Sequence, residues 1–173
     1  MPDVIVVGDA TVDIIVPYPR FLNEERTLVD YPEPSLQGGG TSANTAVALA
    51  RLGVGTSFIG SIGEDQYGRY VKSDLQKEGV NISDMIIEPE LNTVGVFAFI
   101  DENGERYLWG WPRVDQAFKV LDADKVSFEK VRKADWVHSS GMSLAYDTSA
   151  RHTVIKIFKE AYEAGVPTSF DLN

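Results

Sequence analysis

Three consecutive glycines, Gly38-Gly39-Gly40, open directly onto a run of small apolar residues between Thr41 and Leu52. Ala43, Ala46, Val47, Ala48, Leu49, Ala50 and Leu52 lie almost all round a helical wheel, so the spacing predicts a helix buried on most sides. Thr41 or Ser42 is expected to cap its start, and Gly53 to supply a left-handed stop. Glycines ahead of a helix let a ligand approach the main chain, and first-turn N–H groups without internal partners can donate to its oxygen atoms. Asn44 adds an amide that both donates and accepts.

The remainder reads as strands alternating with helices. Val4-Ile5-Val6-Val7, stopped by Gly8, has the β-branched character of a buried strand, and Thr11 to Val16 reads as a second. A strand is expected over Thr56 to Ile62, then a helix from about Gln66 to Glu78 with Tyr67, Tyr70, Val71 and Leu75 on one face. Val94 to Ile100 and Glu105 to Trp109 flank Asn103-Gly104, which predicts a hairpin with a tight primed turn. A short helical stretch (Asp122 to Lys133), a strand (Asp135 to Ser139), a long helix (about Thr148 to Ala164) and a last strand (Pro167 to Asn173) follow. This alternation predicts parallel βαβ units, hence a three-layer Rossmann-like α/β fold. Two β excursions, roughly residues 12–37 and 93–111, are expected to form one small separate sheet; the first carries Pro17, Pro19, Pro32 and Pro34, half of the 8 prolines.

Composition narrows the function. Residues Lys and Arg total 16 against 26 Asp and Glu, a formal charge of −10, which disfavours a nucleic-acid partner. The chain has no cysteine, so disulfides, thiolate metal sites and thiol nucleophiles are excluded. No apolar run approaches the roughly 18 residues of a membrane span, and a soluble, cytoplasmic domain is expected. There is no G-x-x-x-x-G-K-[ST], no G-x-G-x-x-G after the first strand, and no G-x-S-x-G or H-E-x-x-H. His138 and His152 stand outside any metal-ligand spacing and read as structural or surface residues.

The informative acid is Asp13. It interrupts an apolar strand between Val12 and Ile14, where a carboxylate must be paired or face a cleft. A carboxylate accepts from two neighbouring hydroxyls, so Asp13, Gly39, Gly40 and Asn44 together suggest a site for sugar-like hydroxyls.

Gly39-Gly40-Thr41-Ser42-Ala43-Asn44-Thr45-Ala46, then Gly53, then Gly63-Glu64-Asp65 with Gly68, resembles the first signature of the ribokinase-like (PfkB) carbohydrate kinases. Gly8-Asp9-Ala10-Thr11-Val12-Asp13 is similar to that family's first strand and turn, with Asp13 at the sugar-binding aspartate. Ser42 stands where many members have Gly, Ala or Pro, and Thr11 where several have Asn. The resemblance covers residues 1–173 and implies that Asp13, Gly39, Gly40 and Asn44 hold substrate hydroxyls. It implies that the two excursions form a lid that closes over the sugar and pairs with a second subunit's lid in a homodimer. Arg113, near the hinge, would suit a carboxylated sugar, and Asp171 and Asn173 would approach the phosphate and metal region.

The family's second signature, D-T-x-G-A-G-D, which carries the anion hole and the catalytic base, is absent from these residues. The expectation is therefore the N-terminal part of an ATP-dependent sugar kinase acting on a fructose, ribose or 2-keto-3-deoxygluconate type of acceptor. ATP and Mg²⁺ would serve the whole enzyme, and this chain alone would bind neither and be inactive. A nucleoside kinase of the same family and a non-catalytic carbohydrate-binding module remain as alternatives.

Overall fold

The computed structural model describes residues 3–18, 33–111 and 114–173. Alternation along the first strand, β1 (Asp3–Val7), organises the body. Val4 and Val6 enter one apolar cluster with Ala43, Ala46, Phe58, Val71 and Leu75. Ile5 and Val7 enter the other, with Ile59, Val131, Val137, Val154, Ile157 and Ala161. A strand buried on both faces is what a helix–sheet–helix sandwich requires, and each such valine or isoleucine contributes about 1.5–3 kcal/mol on burial. Beside β1 lie β4 (Gly55–Ile59) and β9 (Trp136–Ser140), and beyond β9 lies β10 (Thr168–Asp171). All three pairings are parallel, with Val6 opposite both Phe58 and His138.

The helix α1 (Thr41–Arg51) covers one face and α4 (Ser149–Glu163), with α3 (Phe128–Lys133), the other. Burial of α1 is narrower than its composition implies: Ser42, Ala43 and Ala46 are buried, whereas Asn44 and Ala48 are exposed. Alanine is apolar yet small, so its pattern marks close approach on one face without demanding cover on the other.

A second sheet has the order β3 (Ser35–Gly39), β2 (Thr11–Pro17), β7 (Gly95–Ile100), β8 (Arg106–Gly110). β2 runs parallel to β7, and β3 and β8 flank this pair as antiparallel edges. The helix α2 (Gln66–Lys77) packs against this sheet, with Tyr67 4.6 Å from Trp111 between ring centres. Two details differ from the sequence reading. The expected strand over Thr56 to Ile62 breaks at Gly60, and its second part, β5 (Ser61–Gly63), leaves the main sheet to pair with β6 (Ile86–Glu88). In the β7–β8 hairpin only Gly104 has positive φ (+82°), with Gly104 N–H donating to Asp101 O at 3.1 Å. Asp101 Oδ1 accepts from the N–H groups of Asn103 and Glu105, both at 2.9 Å. That carboxylate favours a four-residue turn with one left-handed glycine over the two-residue primed turn.

Asp65 ties the start of α2 to the segment that enters β7. Its Oδ1 caps α2 by accepting from Gly68 N–H at 2.7 Å, and its Oδ2 accepts from Thr93 N–H at 2.7 Å. Thr93 Oγ1 in turn accepts from Gly63 N–H at 2.9 Å. The Gly63-Glu64-Asp65 segment thereby fixes where β7 departs.

Candidate functional site

The site is built where the chain passes between sheets. After β1, residues Gly8-Asp9-Ala10 lead into β2, which carries Thr11 and Asp13. Asp13 is half-buried, and the Thr11 hydroxyl donates to its Oδ1 at 3.5 Å. Burial pushes the Asp13 carboxyl above its usual range, while the Thr11 hydroxyl and the charge of Arg106 pull it back.

Gly38 and Gly39 do not form a loop: both belong to β3, with Gly39 paired to Thr11. A β-carbon on Gly39 would stand 2.7 and 2.8 Å from the two carboxylate oxygens of Asp13. The turn itself is Gly40, whose φ of +99° and position 2.7 Å from Asp9 O (measured from a notional β-carbon) demand glycine.

The expectation of free first-turn amides is corrected. Thr41 N–H donates to Asp9 Oδ2 at 2.8 Å and Ser42 N–H to Asp9 Oδ1 at 3.2 Å. Ala43 N–H donates to Asp9 O and Asn44 N–H to Gly40 O. No side chain of α1 itself makes the cap; Asp9 caps it from 32 residues upstream, and the amides have no capacity left for an anion. Ser140 Oγ adds a bond to Asp9 Oδ1 at 3.3 Å and lies 3.1 Å from Ser42 Oγ. Sequence reasoning missed Asp9. Its only local signal is an acid between Gly8 and Ala10 at the end of a buried strand, and its partners lie far along the chain.

Asn44 is exposed on the first turn of α1 and, with Gly39, Gln37, Tyr70 and Asp74, lines a hollow of about 450 Å³ between α1 and α2. Asp13 does not line that hollow. Gly39 is the residue common to both, in contact range of the Asp13 carboxylate and at the rim beside Asn44. Arg113 lies outside the described residues. Asp171 ends β10 opposite Ser140, and its Oδ1 accepts from Asn173 N–H at 3.0 Å; both residues are exposed. Among the described residues there is no group of three or more His, Asp or Glu placed to hold a metal ion. His138 Nδ1 lies 2.8 Å from Ser169 Oγ, and burial lowers the imidazole pKa; His152 pairs with Asp147 at 3.1 Å on the surface. Among the described residues no helix is long and apolar enough to cross a membrane.

A parallel α/β body carrying a small β sheet, with a carboxylate and a glycine turn at the junction, defines the class. Residues 1–173 match the pfkB family of carbohydrate kinases, and the chain belongs to that family. It is 36% identical over 175 residues to a fructokinase of Vibrio alginolyticus, covering 100% of this chain and 51% of the relative. It is 32% identical to a 5-dehydro-2-deoxygluconokinase of Bacillus subtilis, covering 99% and 51%. The crystal structure of a fructokinase from Xylella fastidiosa superposes with a TM-score of 0.83 at 24% identity, over 100% of this chain and 53% of that one, a likeness of fold. The chain thus spans about half the length of the curated relatives it matches.

Proposed function

We propose that this chain forms the acceptor-binding part of an ATP-dependent sugar kinase, which moves the γ-phosphoryl group of ATP to a hydroxyl of a fructose-, ribose- or 2-keto-3-deoxygluconate-like acceptor. The observation that supports the reading is the half-buried Asp13 carboxylate set against Gly39, an acceptor for paired hydroxyls beside a glycine whose missing side chain leaves room for the acid. Asp13 would bind and orient the sugar, Gly39 and Gly40 would give it close backbone approach, and the Asn44 amide would donate to and accept from a further hydroxyl. Arg113 would suit a carboxylated acceptor, and Asp171 and Asn173 would lie toward the phosphates. ATP brings the phosphoryl group and Mg²⁺ the charge that offsets it, in the cytoplasm where both are plentiful.

The sheet β3-β2-β7-β8 would act as a lid over the sugar, excluding water from the transfer. Its β7–β8 face gathers Phe97, Phe99, Tyr107 and Trp109, with Tyr107 57% and Trp109 68% exposed and β8 the edge strand among the described residues. A face of that composition supports pairing with a second copy's lid. The testing experiment measures ADP release by the whole protein with fructose, ribose, 2-keto-3-deoxygluconate and nucleosides as acceptors. Turnover with one of the sugars is expected; turnover with nucleosides alone, or with none of them, overturns the assignment.

A further inference from the structure

Asp9 is 3% exposed, the most deeply buried carboxylate among the described residues, and no ion pair reaches it there. A polar group so placed must be held by hydrogen bonds, and it is: two α1 amides and the Ser140 hydroxyl converge on its side chain. Its main chain is engaged as well, since Asp9 O accepts from Ala43 N–H and packs under Gly40. Two residues further on the chain enters β2 at Thr11 and reaches Asp13. Asp9 therefore fixes both flanks of the candidate site, β2 through the peptide chain and the Gly40–Asn44 turn through hydrogen bonds. Its bond to Ser140 ties that pair to the end of β9, where Asp171 of β10 lies alongside.

We infer that Asp9 is the positioning residue of the acceptor site: it sets the Gly39–Asn44 segment relative to Asp13 without touching the acceptor. This rests on the acceptor reading above. A residue serving only as a helix cap would change stability and leave substrate recognition alone; a positioning residue changes the sugar KM selectively. Asp9→Asn preserves size, but its amide nitrogen cannot accept, so one of the Thr41 and Ser42 amides loses its partner.

The test uses the whole protein and three variants, Asp9→Asn, Asp9→Gly and, as a destabilised control, Val131→Ala in the α3–α4 core. Asp9→Asn is expected to raise the sugar KM by at least about tenfold while the ATP KM stays within about twofold. Val131→Ala is expected to lower Tm with the sugar KM unchanged. Formate, which fits the space left in Asp9→Gly, is expected to bring the sugar KM of that variant back toward wild type. An unchanged sugar KM in Asp9→Asn, equal rises for sugar and ATP, or an equal rise in Val131→Ala would overturn the inference. Amide hydrogen exchange supplies a readout independent of activity: Thr41 and Ser42 should lose protection in Asp9→Asn while α2 keeps its own. Should the wild-type protein phosphorylate no sugar, the acceptor reading fails by itself, and retained protection at Thr41 and Ser42 would separately dismiss Asp9 as the anchor of the turn.

Discussion

The carboxylate of Asp13 rests on the α-carbon of Gly39, across the β2–β3 pair, so closely that a single methyl group at position 39 would stand within 2.8 Å of both its oxygens. The acid and the glycine form one unit, and neither can change without disturbing the other.

Replacing Asp13 by Asn should trade function for stability. Loss of a charged acceptor is expected to lower kcat/KM for the sugar by more than about tenfold, roughly 1.4 kcal/mol. Because burial raises this carboxyl above its ordinary value of 3.8, the folded state holds the proton more tightly than the unfolded chain. Stability is therefore lost as pH rises from the unfolded pKa through the folded one, and the deficit persists at neutral pH. Asp13→Asn should raise Tm at pH 7 and flatten its decline above pH 4, measured by thermal melts across that range.

Gly39→Ala should push the Asp13 carboxylate and the Thr11 hydroxyl aside. Overpacking of this kind costs about 1–3 kcal/mol, and the sugar KM should rise with it. Combining it with Asp13→Ala removes one of the two obstructing groups, so the stability losses should be less than additive while activity stays low. Additive losses in urea denaturation would place the two side chains apart.

Asp65→Ala should remove a helix cap and the tie to the segment entering β7 together. The cap alone is worth about 1 kcal/mol, and the stranded Thr93 amide adds about 1–3 kcal/mol. The midpoint of urea unfolding should fall accordingly, with exchange quickening first around Gly68 and Thr93.

Trp109→Glu should abolish self-association if the aromatic face of β7 and β8 is where two copies meet. Sedimentation analysis of the whole protein is expected to give a dimer for wild type and a monomer for the variant. A monomeric wild type would remove the second-copy reading without affecting the sugar site.

Much of the fold was legible because it is encoded locally. Val4 to Val7 announce a two-sided strand, and the apolar spacing of Val154, Ile157 and Ala161 places α4. What escaped was encoded between distant residues. Nothing near Asp9 in sequence says that its partners are amides 32 positions later, and nothing near Gly38 and Gly39 says that a strand, not a loop, claims them. Asn103-Gly104 encodes the hairpin but not its turn type, because the Asp101 side chain selects the wider geometry. Asp13 stands out in sequence alone because an acid inside an apolar strand is conspicuous, and the structure places it half-buried on β2.

The second sheet also has a mechanical aspect. The polypeptide crosses between the sheets at Asp9-Ala10 and Gly40, and Thr93 launches β7 from the Asp65 junction; these passages are clamped by a carboxylate, Asp9 for the first two and Asp65 for the third. A swing of the second sheet against its neighbours would strain the hydrogen bonds at these two acidic pivots, which would then contribute to the stiffness of the joint. Mutating the pivots while sparing every ligand-facing group offers a way to alter how fast the joint opens without changing what it grips.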